Sequence, residues 1–137
     1  MPRIVHIAVK VDDLDEVEKF YETVFGFKSV GRSRGEDRSR VAFSDGDFNL
    51  TFLKYDSSEE EMAQAVGEGP AIHHFAIEVD DMDAYVEKIR SFGCELLSGP
   101  KDIPVKFRMP GGPIAEIVPT GSFRGGVEGR EARRRRD

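Results

Sequence analysis

The sequence predicts an α+β fold built from two tandem βαβββ modules. The main observation is an internal repeat, because Ile4–Asp15 and Ile72–Asp83 are identical at seven of their twelve aligned positions. Both copies begin with alternating side chains, the period-two pattern of a β-strand, and continue with apolar residues at helical spacing. Short strand-like runs separated by turn residues follow each predicted helix. A repeat of this kind indicates that one supersecondary unit occurs twice.

The first module is predicted to cover residues 1-55, beginning with a strand over Ile4–Val11. Asp13 and Glu16 form an Asp-x-x-Glu variant of the capping box, so we expect a helix to begin there. It should end at Gly26, because a helix C-terminus favours a residue that accepts positive φ. The remaining segments are a strand over Phe27–Val30, a loop over Gly31–Asp37, and strands over Ser39–Ser44 and Phe48–Tyr55.

The second module is predicted to cover residues 72-119, after a connector over residues 56-71 that is acidic at its centre and holds a short helix. It repeats the order of the first module, with a strand over Ile72–Val79 and a helix over Asp81–Phe92 that is capped by Asp81. Its other strands are predicted over Glu95–Leu97, Val105–Met109 and Ile114–Val118.

The composition limits the classes of function. The net charge of −6 argues against nucleic acid as the main partner, although residues 120-137 form an arginine-rich end that we expect to be irregular and solvated. No segment approaches the roughly 18 apolar residues of a membrane span, so no membrane partner is expected. The chain enters its first strand without a signal-peptide pattern, which favours a cytoplasmic protein. The lone Cys94 excludes an intrachain disulfide and is expected to be structural.

Two histidines at equivalent places in the repeat suggest a shared site. His6 and His74 stand on the same face of their strands, opposite the more apolar face. The alternative for each is a hydrogen-bonded histidine of the core. Superposing the last strands of the two modules places Thr51 opposite Glu116, a carboxylate within an apolar strand. A buried carboxylate needs a cation or hydrogen-bonding partner, whereas an exposed edge-strand glutamate would not.

Together His6, His74 and Glu116 offer two imidazoles and one carboxylate. This set suits one divalent ion of Fe, Mn, Co, Ni or Zn and leaves coordination positions for substrate or water. The neighbouring His73 alternates onto the opposite face, where we expect a structural role.

The repeat and these residues resemble the vicinal oxygen chelate superfamily over about Ile4–Pro119. That superfamily includes glyoxalase I, methylmalonyl-CoA epimerase, fosfomycin- and bleomycin-resistance proteins and extradiol dioxygenases. The segment GEGPAIHH, residues 67-74, followed by Val79-Asp80-Asp81, looks most like the epimerase branch. The resemblance implies a curved mixed sheet around a central cavity and a homodimer. It also implies that His6, His74 and Glu116 bind the metal, with Glu116 as the catalytic residue.

The sequence departs from the family pattern at two positions. Thr51 stands where glyoxalase I and the epimerases usually carry Glu or Gln, so we expect water or substrate at that coordination position. Val41 stands where the epimerase branch carries a basic glutamate. We therefore expect Thr51 to line the substrate site rather than bind the metal. Arg40, Lys106 and Arg108, on predicted strands, are candidates to contact an anionic substrate, and the alternative is that they form a solvated face.

These observations predict a metal-dependent enzyme that acts on a small oxygenated substrate chelated to the metal. Dioxygenase-type chemistry and isomerase or lyase chemistry both remain open. The alternative is a metal-free protein of the bleomycin-resistance type that sequesters an apolar or cationic small molecule. A third reading is a scaffold that only dimerises. A sequestering pocket does not need His6, His74 and Glu116, which favours the enzyme.

Overall fold

A single seven-stranded sheet dominates the computed structural model, which describes residues 1–136. Its strands lie in the order β2-β3-β4-β1-β5-β7-β6. These strands are β1 (Arg3–Lys10), β2 (Ser29–Arg34), β3 (Arg38–Ser44), β4 (Asn49–Tyr55), β5 (Ala71–Val79), β6 (Val105–Arg108) and β7 (Ile114–Pro119). The helices are α1 (Leu14–Phe25), α2 (Glu61–Val66) and α3 (Met82–Phe92). No helix within residues 1–136 is both long and apolar enough to cross a membrane.

The sheet is mixed, and its centre is where the two halves meet. β1 and β5, the two copies of the repeat, pair antiparallel. Each then pairs parallel with the last strand of its own half, β4 for β1 and β7 for β5. The predicted α+β class is confirmed, and the two repeated strands lie side by side in the middle of the sheet.

Both long helices begin and end as the sequence predicts. The Asp13 carboxylate accepts a hydrogen bond from the Glu16 amide at 3.0 Å, and Asp81 accepts one from Ala84 at 3.0 Å. These bonds satisfy amides that the first helical turn leaves without a partner. Gly26 ends α1 and Gly93 ends α3, both in the left-handed conformation that glycine adopts without strain.

Each helix packs on the strands of its own module. In the first module Leu14 of α1 is buried against Val41, Phe43 and Phe52. In the second, the buried cluster contains Val79, Met82, Val86, Val105, Phe107, Ala115 and Ile117. Burying one such side chain contributes about 1.5–3 kcal/mol. The apolar faces of the strands are therefore used by the helices, and the histidine-bearing positions remain for the cavity.

Two local predictions differ from the structure. The segment predicted as a loop over Gly31–Asp37 begins as strand, because β2 continues to Arg34 and pairs with β3 up to Ser39. The strand predicted over Glu95–Leu97 is reduced to one bridge between Leu96 and Phe107. Its partner β6 is only four residues long, so there is little edge for a ladder.

The C-terminal segment, residues 120–136, is more regular than the sequence indicates. It contains the short strands β8 (Phe123–Arg124) and β9 (Val127–Glu128) and a 3₁₀ helix over Arg130–Ala132. Phe123 and Ala132 are buried with residues of the main sheet. The prediction of an irregular tail was wrong, because two apolar anchors suffice to dock a segment whose average composition is polar.

Candidate metal centre

Three adjacent strands bring the predicted metal ligands together. His6 lies on β1, His74 on β5 and Glu116 on β7, and Ala76 pairs with both His6 and Glu116 across the sheet. All three side chains are buried, and their ligand atoms lie within 4.8 Å of one another. The His6 and His74 Nε2 atoms are 3.1 Å apart, and His74 Nε2 is 3.3 Å from Glu116 Oε1.

Asn49 holds the imidazole of His6 from behind. The His6 Nδ1 atom is 2.5 Å from Asn49 Oδ1, and that amide oxygen also accepts a hydrogen bond from the Thr51 hydroxyl at 2.7 Å. The Asn49 amide nitrogen donates to the carbonyl of Gly126 at 2.7 Å. An amide oxygen is an acceptor, so His6 carries its proton on Nδ1 and leaves the Nε2 lone pair free. Such outer partners orient ligating histidines.

His73 takes the equivalent place behind His74. A register shift in the β1–β5 pairing, between Ala8–His74 and Val9–Ile72, leaves His73 as an extra residue. The Nδ1 atoms of His73 and His74 are 2.6 Å apart, and His73 Nε2 is 2.6 Å from the Tyr55 hydroxyl. Simple alternation predicts His73 on the opposite face, away from the ligand, and the bulge is the reason that it contacts His74 instead.

Burial and nearby charge set the protonation of these groups. Burial, with a further effect of the neighbouring His74, lowers the pKa of His6 to about 4. The same two causes lower the pKa of His73 to about 2. Burial raises the pKa of Glu116, but His74 and Lys106 outweigh it and bring the pKa to about 2. At neutral pH the site therefore offers a carboxylate and a neutral His6, the forms that bind a metal ion.

The donor set fits a divalent cation. Glu116 Oε2 is buried, and no group within residues 1–136 gives it a hydrogen bond. The Lys106 ammonium lies 3.5 Å from this oxygen, and a metal cation bound directly to it would stabilise the buried carboxylate further. Two imidazoles and one carboxylate on one side of an ion match the 2-His-1-carboxylate arrangement, which leaves positions for other ligands.

The three ligands open onto a cavity of about 500 Å³. This volume is in the range of small-molecule sites. Its lining is strongly charged, with cations from Arg38, Arg40, Lys106 and Arg133 and acids from Glu36, Asp37, Glu60 and Glu128.

The residues predicted to bind substrate divide into two groups. Thr51 and Arg40 line the cavity, although the Thr51 hydroxyl is already bonded to Asn49. Arg108 does not line it, because its guanidinium donates to the Gly112 carbonyl at 2.7 Å in the turn after β6. Val41 is fully buried in the helix-facing core, so β3 supplies no base at that position.

The sequence did not identify several residues that line the cavity or lie behind its ligands. Asn49 shares the face of Thr51 by strand alternation, and this pattern was a usable signal. The C-terminal segment gave no such signal, yet it supplies Glu128 and Arg133 to the lining. It also places Phe123 against His6, with ring centroids 4.7 Å apart and stacked.

Several known proteins are similar to this chain in sequence or in fold. Lactoylglutathione lyase of Haemophilus influenzae is 31% identical over 100 residues, which cover 66% of this chain and 68% of that protein. Lactoylglutathione lyase of Schizosaccharomyces pombe is 28% identical over 95 residues, 69% of this chain, and the aligned part spans only 25% of that protein's length. A variant of Streptomyces coelicolor methylmalonyl-CoA epimerase, in complex with 2-nitronate-propionyl-CoA, superposes with a TM-score of 0.69 at 25% identity, covering 93% of this chain and 97% of that one.

Most of the chain matches one protein family. Residues 3–110 match the family described as the Glyoxalase/Bleomycin resistance protein/Dioxygenase superfamily. The matched range contains both copies of the repeat and two of the three converging ligands, while Glu116 follows it on β7. Because this match extends over most of the chain and the fold agrees with it, the protein belongs to the glyoxalase/bleomycin resistance protein/dioxygenase superfamily.

Proposed function

We propose that this protein is a divalent-metal-dependent enzyme with lyase or isomerase chemistry on a small oxygenated substrate. The observation that carries the proposal is the convergence of His6, His74 and Glu116 within 4.8 Å at the base of the cavity. Enzyme relatives named as a lyase and an epimerase support the reaction class.

The three proposed ligands would contribute to ion binding in different ways. His6 and His74 offer Nε2 lone pairs while Asn49 and His73 occupy their Nδ1 atoms. Glu116 supplies the negative charge. A bound divalent ion acts as a Lewis acid that polarises a substrate carbonyl and stabilises negative charge developing on its oxygen. The cavity walls then orient the substrate beside it.

A second candidate is oxygenase chemistry. The proposed site has three protein ligands, and the Thr51 hydroxyl of β4 already donates a hydrogen bond to Asn49. This 2-His-1-carboxylate set is the one that Fe(II) oxygenases use. Oxygen consumption with Fe(II)-loaded protein separates this candidate from lyase or isomerase chemistry, which consumes no oxygen.

A metal-free sequestering pocket is the reading that the site supports least. Two buried imidazoles and a buried carboxylate reduce stability unless they are paired, and a pocket for an apolar ligand gains nothing from them. Glu116 Oε2 is buried and accepts no hydrogen bond within residues 1–136, and a pocket for an apolar ligand would not supply one.

The test begins with metal content. Purified protein is reconstituted separately with Fe(II), Mn(II), Co(II), Ni(II) and Zn(II), dialysed and analysed by mass spectrometry for metal per chain. Loaded samples are then assayed with lactoylglutathione and methylmalonyl-CoA, and for oxygen uptake. We expect one ion per chain and turnover without oxygen uptake. Failure to retain any of these ions would overturn the enzyme proposal in favour of the sequestering pocket.

We also propose a homodimer and a cytoplasmic location. Exposed apolar side chains on β1 and β5, Ile4 at 60% and Ile72 at 67%, support a covered surface on the sheet. Light scattering at micromolar concentration should give twice the mass of one chain. All three metal ligands come from one chain, so this dimer is not needed to assemble them.

A further inference from the structure

Lys106 is the cation nearest to the candidate metal centre. It lies on β6 opposite Glu116 of β7, and its Nζ atom is 3.5 Å from Glu116 Oε2. The corresponding position in the first module is Ala42, which pairs with Thr51 in the same way. The internal repeat therefore gives Lys106 no counterpart, and the charge is specific to the second half of the cavity.

In the metal-free protein the Lys106 ammonium forms an ion pair with Glu116, its Nζ atom lying 3.5 Å from Oε2. Its side chain is only 20% exposed, and it makes no hydrogen bond to any group within residues 1–136, Glu116 included. Once Glu116 binds a divalent ion, its charge is shared with that ion. Lys106 is then a second positive group beside a cation, and this arrangement is unfavourable unless an anion joins them.

The other charges in the cavity do not supply that anion. Glu128 is committed to Arg133, which donates to both of its oxygens at 3.1 and 2.9 Å. Arg40 approaches Glu128 only to 3.8 Å and is otherwise bonded to the Ser33 hydroxyl at 3.3 Å. Burial lowers the pKa of Arg40, the sign of a cation that its surroundings do not fully compensate. The cavity lining as a whole is not positive, because its four cations are matched by Glu36, Asp37, Glu60, Glu116 and Glu128. Within residues 1–136, however, Glu116 is the only acid within 4 Å of the Lys106 ammonium.

We propose that the cavity selects an anionic chelating ligand of the 2-hydroxy or 2-oxo carboxylate class, and that Lys106 is the residue that determines this selection. The proposal rests on the proposed metal-dependent function and adds the substrate class to it. A carboxylate next to a second oxygen can occupy two metal positions and still accept a charge-assisted hydrogen bond from an ammonium. A cationic group at this position would be repelled by both Lys106 and the bound ion.

The test compares two small probes of nearly equal shape. Glycolate is a 2-hydroxy carboxylate, and glycolamide is its neutral amide. Each is titrated into Co(II)-loaded protein, and binding is followed by the visible absorption of the cobalt. The quantity measured is the ratio of the glycolate affinity to the glycolamide affinity. Any metal ion prefers the carboxylate to some extent, so the ratio of each variant is compared with the ratio of the wild type.

Lys106→Met should lower the preference for glycolate at least tenfold while glycolamide affinity and cobalt content stay within about twofold of wild type. Lys106→Arg should keep most of the preference, because it keeps the charge. Lys54→Met, which removes an exposed strand lysine outside the cavity, is the matched control and should change nothing.

Two results would overturn the inference. One is an unchanged ratio in Lys106→Met, and the other is loss of cobalt from that variant, which would make Lys106 a structural support of Glu116. If wild-type protein itself retains no cobalt, the metal-dependent function fails first, so the two failures are distinguishable.

Discussion

The imidazoles of His73 and His74 are joined by a hydrogen bond between their Nδ1 atoms, 2.6 Å apart. His73 is neutral at physiological pH because burial lowers its pKa to about 2. If His74 donates its Nδ1 proton, His73 must accept on Nδ1 and carry its own proton on Nε2, which then points at the Tyr55 hydroxyl. This arrangement frees the Nε2 lone pair of His74, so Tyr55 and His73 would act as positioning residues for the proposed metal centre.

Removing the Tyr55 hydroxyl should weaken metal binding without removing a ligand. In Tyr55→Phe the buried Nε2 proton of His73 loses its acceptor, and the tautomer that frees His74 is less favoured. Loss of such an outer partner typically costs about 10–100-fold in metal affinity. Competition titration against a chelator measures the change. Tyr85→Phe, on helix α3, is the control, and equal affinities for the two variants would contradict the role of Tyr55.

Substitution of the proposed metal ligands should reduce metal binding. His74→Ala should abolish stoichiometric metal and activity, while far-ultraviolet circular dichroism remains that of wild type. Glu116→Gln should weaken binding, because it removes the negative charge at nearly constant shape. The readout is metal per chain after dialysis. A His74→Ala variant that retains as much metal as wild type would contradict the ligand assignment.

The position of Thr51 provides a separate test. Thr51→Ala removes a hydroxyl that donates to Asn49 but, in our assignment, no metal bond. We expect metal content close to wild type. Thr51→Glu restores the residue type that relatives of the glyoxalase and epimerase branches usually carry, and it should tighten metal binding. A large loss of metal in Thr51→Ala would show that Thr51 is itself a ligand.

The docking of the C-terminal segment can be tested at Gly126. A Cβ atom there would lie 1.9 Å from the Ser44 hydroxyl and 2.5 Å from the Phe48 carbonyl, at a φ of +76°. Gly126→Ala should therefore displace the segment, lower stability by about 1–3 kcal/mol and weaken metal binding through Asn49. Gly46→Ala is the matched control, because Gly46 has a φ of +97° but no atom within 4 Å of its Cβ.

For Gly126→Ala the two readouts are the urea midpoint and the metal affinity. Equal destabilisation of both glycine variants would mean that backbone strain alone explains the effect. If the C-terminal segment is displaced, Gly126→Ala should lower the urea midpoint more than Gly46→Ala does. The metal affinity should then fall in Gly126→Ala only.

The metal-free protein should lose stability as the pH falls from 6.5 to about 4.5. His6 and His73 have folded-state pKa values of about 4 and about 2, both below the unfolded value of 6.5. Above pH 6.5 both histidines are neutral in the folded and in the unfolded state, so their protonation does not lower the free energy of unfolding. Below pH 6.5 these histidines bind protons in the unfolded state but not in the folded state. The free energy of unfolding therefore falls by about 1.4 kcal/mol per pH unit for each histidine.

Urea unfolding at pH 7.5, 6.0 and 5.0 measures this slope. His73→Gln should reduce it to about half, because one of the two buried imidazoles is gone. Stability that is flat with pH over this range would show that these rings are protonated in the folded protein.

Much of this arrangement could be predicted from residues alone. The repeat identified β1 and β5, and strand alternation placed His6 and His74 on one face. Helix capping by Asp13 and Asp81 was readable because it depends on neighbours three residues away. Such local signals can be read from a single sequence. Because His6 and His74 occupy equivalent positions of the repeat, they predicted one shared site.

Other features depend on register, which the sequence does not state. The contact between His73 and His74 exists because one residue is inserted in the β1–β5 pairing. Lys106 faces Glu116 only through the pairing of β6 with β7, and Arg108, two residues further, is directed to a turn instead. A shift of one residue exchanges the faces of a strand, so these contacts could not be read in advance.

By itself the sequence determined the fold class, the repeated strands, the helix ends and the identity of the three candidate metal ligands. Only the tertiary structure decided which groups stand behind those ligands, which cations share the cavity, and that the C-terminal segment closes against His6 through Phe123. The physical reason is the range of the interactions. Periodicity and capping act within a few residues, whereas Phe123 meets His6 across more than a hundred residues of chain, through packing that no local pattern encodes.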